Sequence, residues 1–325
     1  MVTSMPPFRS ISLSLLLIAT PLLLRGGEPV ASVHETDDAI VLKHGKRTIL
    51  QFNKSVQVAP SGIDPINNRS GYIHPIFTPA GKVASGDFSE DHPHQHGLFM
   101  AWTRAVFKGE RIDFWNPKEK TGRIEFVKTA KVDKARASFS THQRYVATAQ
   151  NQEIPVIDET WTVTARQASG KAFVFDVESR QRLIGKEPLV HEQYRYGGMA
   201  LRGSNEWTSI PDNTDGTCDF LTSEGDAREA GNHTKVRWVR MSGEIKGDPA
   251  SLVVLTHPSN FRSPQAVRLH PKMPYFVFSP MVEDAFTIEP DEDYVSRYRY
   301  LVTDDVADPD WINAKWTEFA KATLD

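Results

Sequence analysis

From residue 38 onward the apolar positions come as short runs and alternations closed by Gly, Pro, Asn or Ser, the rhythm of strands and turns. Ala39 to Leu50 reads as two strands folded around His44-Gly45, and Val56 to Ala59 as a further extended piece stopped by Pro60-Ser-Gly. Mid-chain, Arg136 to Ala149, Val156 to Ala165 and Lys171 to Leu183 are rich in Val, Thr, Phe and Tyr, with a turn at Ala168-Ser-Gly170 between the last two. Phe173, Phe175 and Val177 alternate with Val174, Asp176 and Glu178, which puts the aromatics on one face and both carboxylates on the other. Further strands are expected at Leu98 to Trp102, Lys235 to Ser242, Ser251 to Thr256, Tyr275 to Phe278 and Tyr294 to Val302. Helical spacing is confined to Val306 to Thr323, where Asp308-Pro-Asp-Trp311 can cap a helix bearing Ile312, Trp316, Phe319 and Ala320. Repeated strands with little sign of helical crossovers predict an all-β fold, a large antiparallel β-sandwich with elaborated loops and a short C-terminal helix.

The first residues break this rhythm. Arg9 precedes an apolar run from Ile11 to Leu24 that ends at Arg25-Gly26-Gly27, which reads as a signal peptide over residues 1–27 and predicts a periplasmic or secreted product. The run is shorter than the roughly 20 residues that span a bilayer, and no later segment is apolar enough to do so. Residues 28–325 contain no Gly/Ser linker and no repeat, so a single sandwich domain is expected there. With 17 Phe and 7 Trp in 325 residues the chain can fill a substantial core. A net charge of −3 without a Lys/Arg stripe argues against a nucleic-acid partner; Lys118 to Lys120 is a short solvated run. The lone Cys218 cannot form an internal disulfide and reads as a partly buried thiol, since no general base is tied to it.

Chemistry concentrates in Asp91-His92-Pro93-His94-Gln95-His96-Gly97, which holds three of the 11 histidines. The run sits on the loop entering the strand from Leu98, where folds commonly place function. If it is extended, His94 and His96 face the same side and His92 turns away. Two readings follow. With His74, His257, Asp91 or Glu192 as a further ligand, His94 and His96 can hold one divalent transition metal, Zn, Mn, Fe or Ni. Without a metal, His94 or His96 acts as general acid, Asp91 or Glu192 as base or its orienter, and Arg202 as electrostatic stabiliser. Trp102 and Trp115 offer faces for a sugar ring, with Asp113, Gln193 and Asn260 as hydroxyl partners and His74 and His257 as further binding groups. The same residues have ordinary structural uses: Trp102 in the core, Asp113 capping a turn, Arg202 pairing with a glutamate, and Tyr196-Gly-Gly198 as a tight loop.

The motifs Tyr72-Ile-His-Pro75, Asp91 to Gly97 with Leu98-Phe99 and Trp102, Asp113-Phe-Trp115, Tyr196-Gly-Gly198 with Leu201-Arg202, and His257-Pro-Ser-Asn260 together resemble the bacterial family labelled methane oxygenase PmoA. The resemblance covers most of the chain beyond the signal. It implies an exported, soluble β protein of polysaccharide-degrading bacteria and places the site at these motifs. It does not imply methane oxidation, because a multi-span membrane subunit has no counterpart here. The expectation is therefore a secreted carbohydrate-active enzyme, a hydrolase or lyase with epimerase-like proton transfer as a variant, whose partner is a carbohydrate or sugar-derived small molecule. The alternative is a noncatalytic carbohydrate-binding or surface-associated protein with a shallow aromatic groove.

Overall fold

The computed structural model describes residues 1–2, 31–166, 171–208 and 218–322. Apart from residues 1–2, the expected signal peptide lies outside the described residues, as does the turn at 168–170.

The described strands form three antiparallel sheets. A nine-stranded sheet runs in the order Ala31–Glu35, Ala39–His44, Arg47–Asn53, Tyr72–Ile76, Leu98–Ala101, Gly198–Arg202, Tyr275–Phe278, Gln265–Leu269, Lys235–Val236. An eight-stranded sheet runs Cys218–Thr222, Trp238–Ile245, Asp248–Thr256, Asp293–Thr303, Ala172–Leu183, Gln152–Ala165, Ser138–Ala149, Gly122–Asp133. The four-stranded sheet holds Phe286–Ile288, Leu189–His191, Ala105–Phe107 and Glu110–Ile112.

The two large sheets bury their apolar faces against each other, as the strand alternation requires. Phe52 of the nine-stranded sheet meets Phe139 and Trp161 of the eight-stranded sheet edge-on, with centroids 5.8 and 6.3 Å apart. At the other end Phe276 meets Phe220 at 6.0 Å and Phe278 stacks on Tyr298 at 5.7 Å. Phe173, Phe175 and Val177 point into this core, while Val174 lies in a second cluster on the outer face. That outer face is covered by the helix Pro309–Ala320, whose Ile312 and Phe319 pack with Val253, Leu255 and Leu301. Asp308 caps it by accepting from the Trp311 amide at 3.0 Å. Asp176 and Glu178 share the outer face as expected, each already ion-paired: Asp176 to Arg166 and Arg299, Glu178 to Arg180 and Arg297.

Three expectations change. Val56 to Ala59 forms no strand, only an isolated bridge from Gln57 to Arg69; Val56 and Val58 stay exposed because no sheet face covers them. Lys235 to Ser242 divides between sheets, Lys235–Val236 pairing with Gln265–Leu269 and Trp238–Ile245 with Asp248–Thr256. The helix starts three residues later than expected and ends three earlier, at the Asp308 cap and at Ala320.

Candidate functional site

The histidine loop is built on the middle of the nine-stranded sheet. Tyr72–Ile76, Leu98–Ala101 and Gly198–Arg202 are neighbours there, and the segment before Leu98 is stitched to the last of them. The Gly97 amide donates to the Gly86 carbonyl at 2.8 Å, the Gly86 amide to the Arg202 carbonyl at 3.0 Å, and the Arg202 amide to the Gly97 carbonyl at 2.7 Å. Gly97 sits at φ +40° with its α-carbon against the Ile73 carbonyl, where a side chain has no room. Arg202, fully buried, locks the loop from below. It donates to both Asp91 oxygens at 3.0 and 3.1 Å, to Gln95 Oε1 at 3.0 Å and to Thr208 Oγ1 at 2.8 Å. Asp91 and Arg202 are thus spent on each other, and the electrostatic role expected of Arg202 is taken up by the loop's own carboxylate.

On this scaffold His96 is buried, with Nδ1 2.6 Å from Asp87 Oδ1. Asp87 is held on its other oxygen by the Tyr72 hydroxyl, which donates at 2.7 Å. His74 stands behind, its Nδ1 2.9 Å from Ser85 Oγ. Burial pulls His96 below the usual histidine range although Asp87 and the Asn67 carbonyl oppose it. For Asp87 the burial penalty is outweighed by His96, His74 and Tyr72, so its carboxyl falls below the ordinary value, while the Tyr72 phenol is pushed up by burial beside Asp87. His94 differs: no side chain hydrogen-bonds it among the described residues, and burial, with His92, His96 and nearby cations adding to it, lowers it to about 3. It is a neutral imidazole with open nitrogens.

The run is a series of turns and not an extended piece, with Gln95 donating back to the His92 carbonyl at 3.0 Å. His94 nevertheless lies where two clefts meet. One, of about 310 Å3, is lined by His94, His96, Trp115, Arg69, Asn67 and Lys120 among others. The second, of about 540 Å3, is lined by His92, His94, Trp115, Arg104, Tyr194 and Tyr196 among others. Trp115 is largely buried and forms the dividing wall, packed on Phe99 at 4.9 Å and Tyr196 at 6.0 Å. Tyr194 and Tyr196 are half-buried and supply the aromatic surface of the second cleft, with the Arg104 guanidinium 4.0 Å above the Tyr194 ring. Asp113 helps shape this cleft by capping a turn: Oδ1 accepts from the Trp115 and Asn116 amides and Oδ2 from the Thr103 hydroxyl.

Other candidates lie elsewhere. Trp102 is a core residue whose indole donates to Gln181 at 2.7 Å. Glu192 forms a surface pair with Arg111, and Gln193 donates to the Val282 and Glu283 carbonyls. His257 packs at 5.1 Å on Phe319 of the C-terminal helix and bonds Ser259, while Asn260 exchanges hydrogen bonds with the Arg297 backbone. His257 therefore does not join His74, His94 and His96. Among the described residues no group of three or more His, Cys, Asp or Glu converges to hold a metal ion. His96 and His74 already direct a nitrogen each to Asp87 and Ser85. Cys218 is buried against Arg228, and desolvation raises its thiol to about 11.

Sequence reasoning missed Asp87, Tyr72 in its role as a donor, and Arg69. The Arg69 guanidinium lies 5.0 Å over the Phe99 ring at the cleft wall, its Nε buried without a partner. The only signal was proximity, Arg69 and Asp87 flanking the motif Tyr72-Ile-His-Pro75 within a stretch dense in turn residues.

Among the described residues no helix is long and apolar enough to cross a membrane. No curated protein matches the chain. Among solved structures it is similar to a putative kojibiose phosphorylase from human microbiome, at 9% identity and a TM-score of 0.39, over 90% of this chain and 33% of that one. The chain thus spans about a third of that protein's length. The resemblance to the PmoA family is corrected by the family match, which lies elsewhere. A profile of a family of unknown function, DUF6807, matches residues 39–317, most of the described sandwich, and the chain belongs to that family.

Proposed function

We propose that the paired clefts bind a carbohydrate chain across the His94–Trp115 divide and that His94 removes a proton from it, making the protein a secreted carbohydrate-active enzyme of the lyase type. The observation that carries this reading is His94 itself, an imidazole without a side-chain partner among the described residues, kept neutral by burial and lining both clefts. Unprotonated at physiological pH, His94 cannot protonate a leaving group as hydrolysis requires but is free to accept a proton, weakly while desolvation holds it at about 3 and more strongly once an anionic ligand lies beside it. Tyr194 and Tyr196 supply apolar faces for sugar rings in one cleft, and Asn67 and Arg69 supply polar groups in the other. The His96–Asp87–Tyr72 network holds the loop that carries His94. Export through a signal over residues 1–27 belongs to the same proposal, since polysaccharide is met outside the cytoplasm.

The test is a screen of the purified protein against neutral glycosides, uronic-acid oligosaccharides and oxidised sugars, read by product mass. Elimination gives fragments that sum to the substrate, whereas hydrolysis adds one water. His94→Gln is expected to lower kcat by about 100-fold or more with the fold retained. Saturable glycan binding without turnover would reject the enzyme in favour of a binding protein, and full activity in His94→Gln would reject the assigned base.

A further inference from the structure

We propose that the cleft on the Arg69 side receives a sugar carboxylate, so that the ligand is a uronate-containing oligosaccharide; this rests on the reading of the clefts as a carbohydrate site. Three cations line that cleft, Arg69, Lys120 and Arg123, against one carboxylate, Glu153. Arg123 and Glu153 neutralise each other through bonds of 2.6 and 3.0 Å. Arg69 has no such partner. Among the described residues it makes no ion pair and no side-chain hydrogen bond, and its buried Nε is unsatisfied. The neighbouring carboxyls do not supply one: Asp87 is committed to His96 and Tyr72, and Glu159 bonds Ser179 and Gln181 through Oε1 while its Oε2 is buried without a partner and makes no ion pair with Arg69. Arg202 shares the unpartnered Nε, and the contrast lies in its terminal nitrogens, which bond Asp91, Gln95 and Thr208. An arginine held half-buried without an anion is costly, and its planar fork matches the two oxygens of a carboxylate.

A second orphan points to the same ligand. Asn67 Oδ1, also in the lining, is a buried acceptor without a donor. An unpartnered acceptor and an unpaired cationic fork in the lining of one cleft call for a hydroxyl and an anion in one molecule, which a sugar acid carries and a bare inorganic anion does not. The carboxylate would also acidify the adjacent carbon–hydrogen bond, the one a neutral His94 needs to break. In that step His94 takes the proton, the C–H electron pair forms a C=C bond, the C–O bond at the next carbon breaks with its pair leaving on oxygen, and that oxygen takes a proton from solvent water.

The experiment titrates the full chain by calorimetry with oligomers of galacturonate, glucuronate, mannuronate and guluronate, each beside its carboxyl-reduced neutral counterpart and a sulfate ester of that counterpart. At least one uronate is expected to bind about tenfold tighter than its neutral and sulfated partners, an advantage that Arg69→Met abolishes. Removing an unpaired cation should leave the melting temperature unchanged or higher. Should Arg69→Met not fold, Arg69→Lys carries the test, keeping the charge without the fork and losing most of the advantage. Equal binding of acidic and neutral oligomers would overturn the carboxylate and leave the carbohydrate reading standing, and preference for the sulfate ester would overturn it likewise. Failure of every oligomer to bind would remove the carbohydrate reading itself.

Discussion

Arg202 bonds Gln95, between His94 and His96, and Arg69 lines a cleft with the same two histidines, yet they do opposite work, a difference set by the partners each finds on burial. The Arg202–Asp91 pair joins a fully buried cation to a partly exposed anion, so its halves are unequal. Asp91→Ala strands the guanidinium in the core and is expected to cost about 3 kcal/mol or more by urea unfolding. Glu192→Ala, which breaks the more exposed pair with Arg111, should cost no more than about 1 kcal/mol. Equal losses would show that Asp91 does not hold the loop. His94 sets a second residue-scale expectation. Its folded pKa lies below the ordinary value of 6.5, so the base form persists as pH falls through the usual histidine range and is lost only near 3. The acid limb of kcat/KM should therefore lie well below pH 6.5, and a midpoint at 6.5 would mean that His94 is not the desolvated base. At this scale the sequence singled out the histidine loop but not the partners its side chains would meet. Residue types alone could not say that Arg202 would meet Asp91, or that the orienting carboxylate would be Asp87, because those pairings are made by backbone stitching between Gly86, Gly97 and Arg202.

Elements were more legible than residues, because alternation is a local signal and pairing is not. Ala172–Leu183 showed its two faces in the sequence, Phe173 and Phe175 inward, Asp176 and Glu178 outward, since both faces have strong preferences. Leu98–Ala101 is buried along its whole length in the middle of a sheet and so gives no alternation; the sequence had it as a rigid edge. Lys235 to Ser242 looked continuous because a chain crossing from one sheet to the other at Arg237 keeps its β-like composition. Two substitutions separate the elements that build the site from those that only stabilise the sandwich. Gly97→Ala must place a methyl group against the Ile73 carbonyl at a positive φ. It is expected to cost more than about 1 kcal/mol and to remove activity by displacing His96 and His94. Phe319→Ala empties the contact between the C-terminal helix and the eight-stranded sheet and should cost about 3 kcal/mol or more, with kcat per folded molecule unchanged. If Phe319→Ala changed kcat as Gly97→Ala does, the site would extend to the helix face.

At the scale of the whole molecule, folding takes histidines out of water, His191 inside the aromatic core and His94 and His270 half-buried, and so favours their neutral forms. His94, His191 and His270 are each lowered to about 3, in every case chiefly by desolvation. A base whose folded pKa is depressed takes up protons more readily when unfolded. Its contribution to stability is thus complete above about pH 6.5 and drains away as pH falls toward 3. Asp87, held below its ordinary value by His96, His74 and Tyr72, acts in the same direction in more acid solution. Glu159 works against them: burial raises its carboxyl, so its contribution is complete below the ordinary carboxylate value and lost as pH rises through the folded one. Three large histidine shifts against one opposing carboxyl predict a melting temperature that falls steeply on acidification from neutral pH. His191 separates this cause from general acid unfolding. Its ring lies 4.5 Å from Trp102 and 4.7 Å from Phe286, and neither nitrogen has a partner, so a phenyl ring fits the same surroundings without a proton to gain. His191→Phe is expected to leave stability at neutral pH unchanged or higher and to flatten its fall toward acid pH. A variant that melts with the parent's pH dependence would show that the cost of charging this histidine does not set the acid limit of the fold.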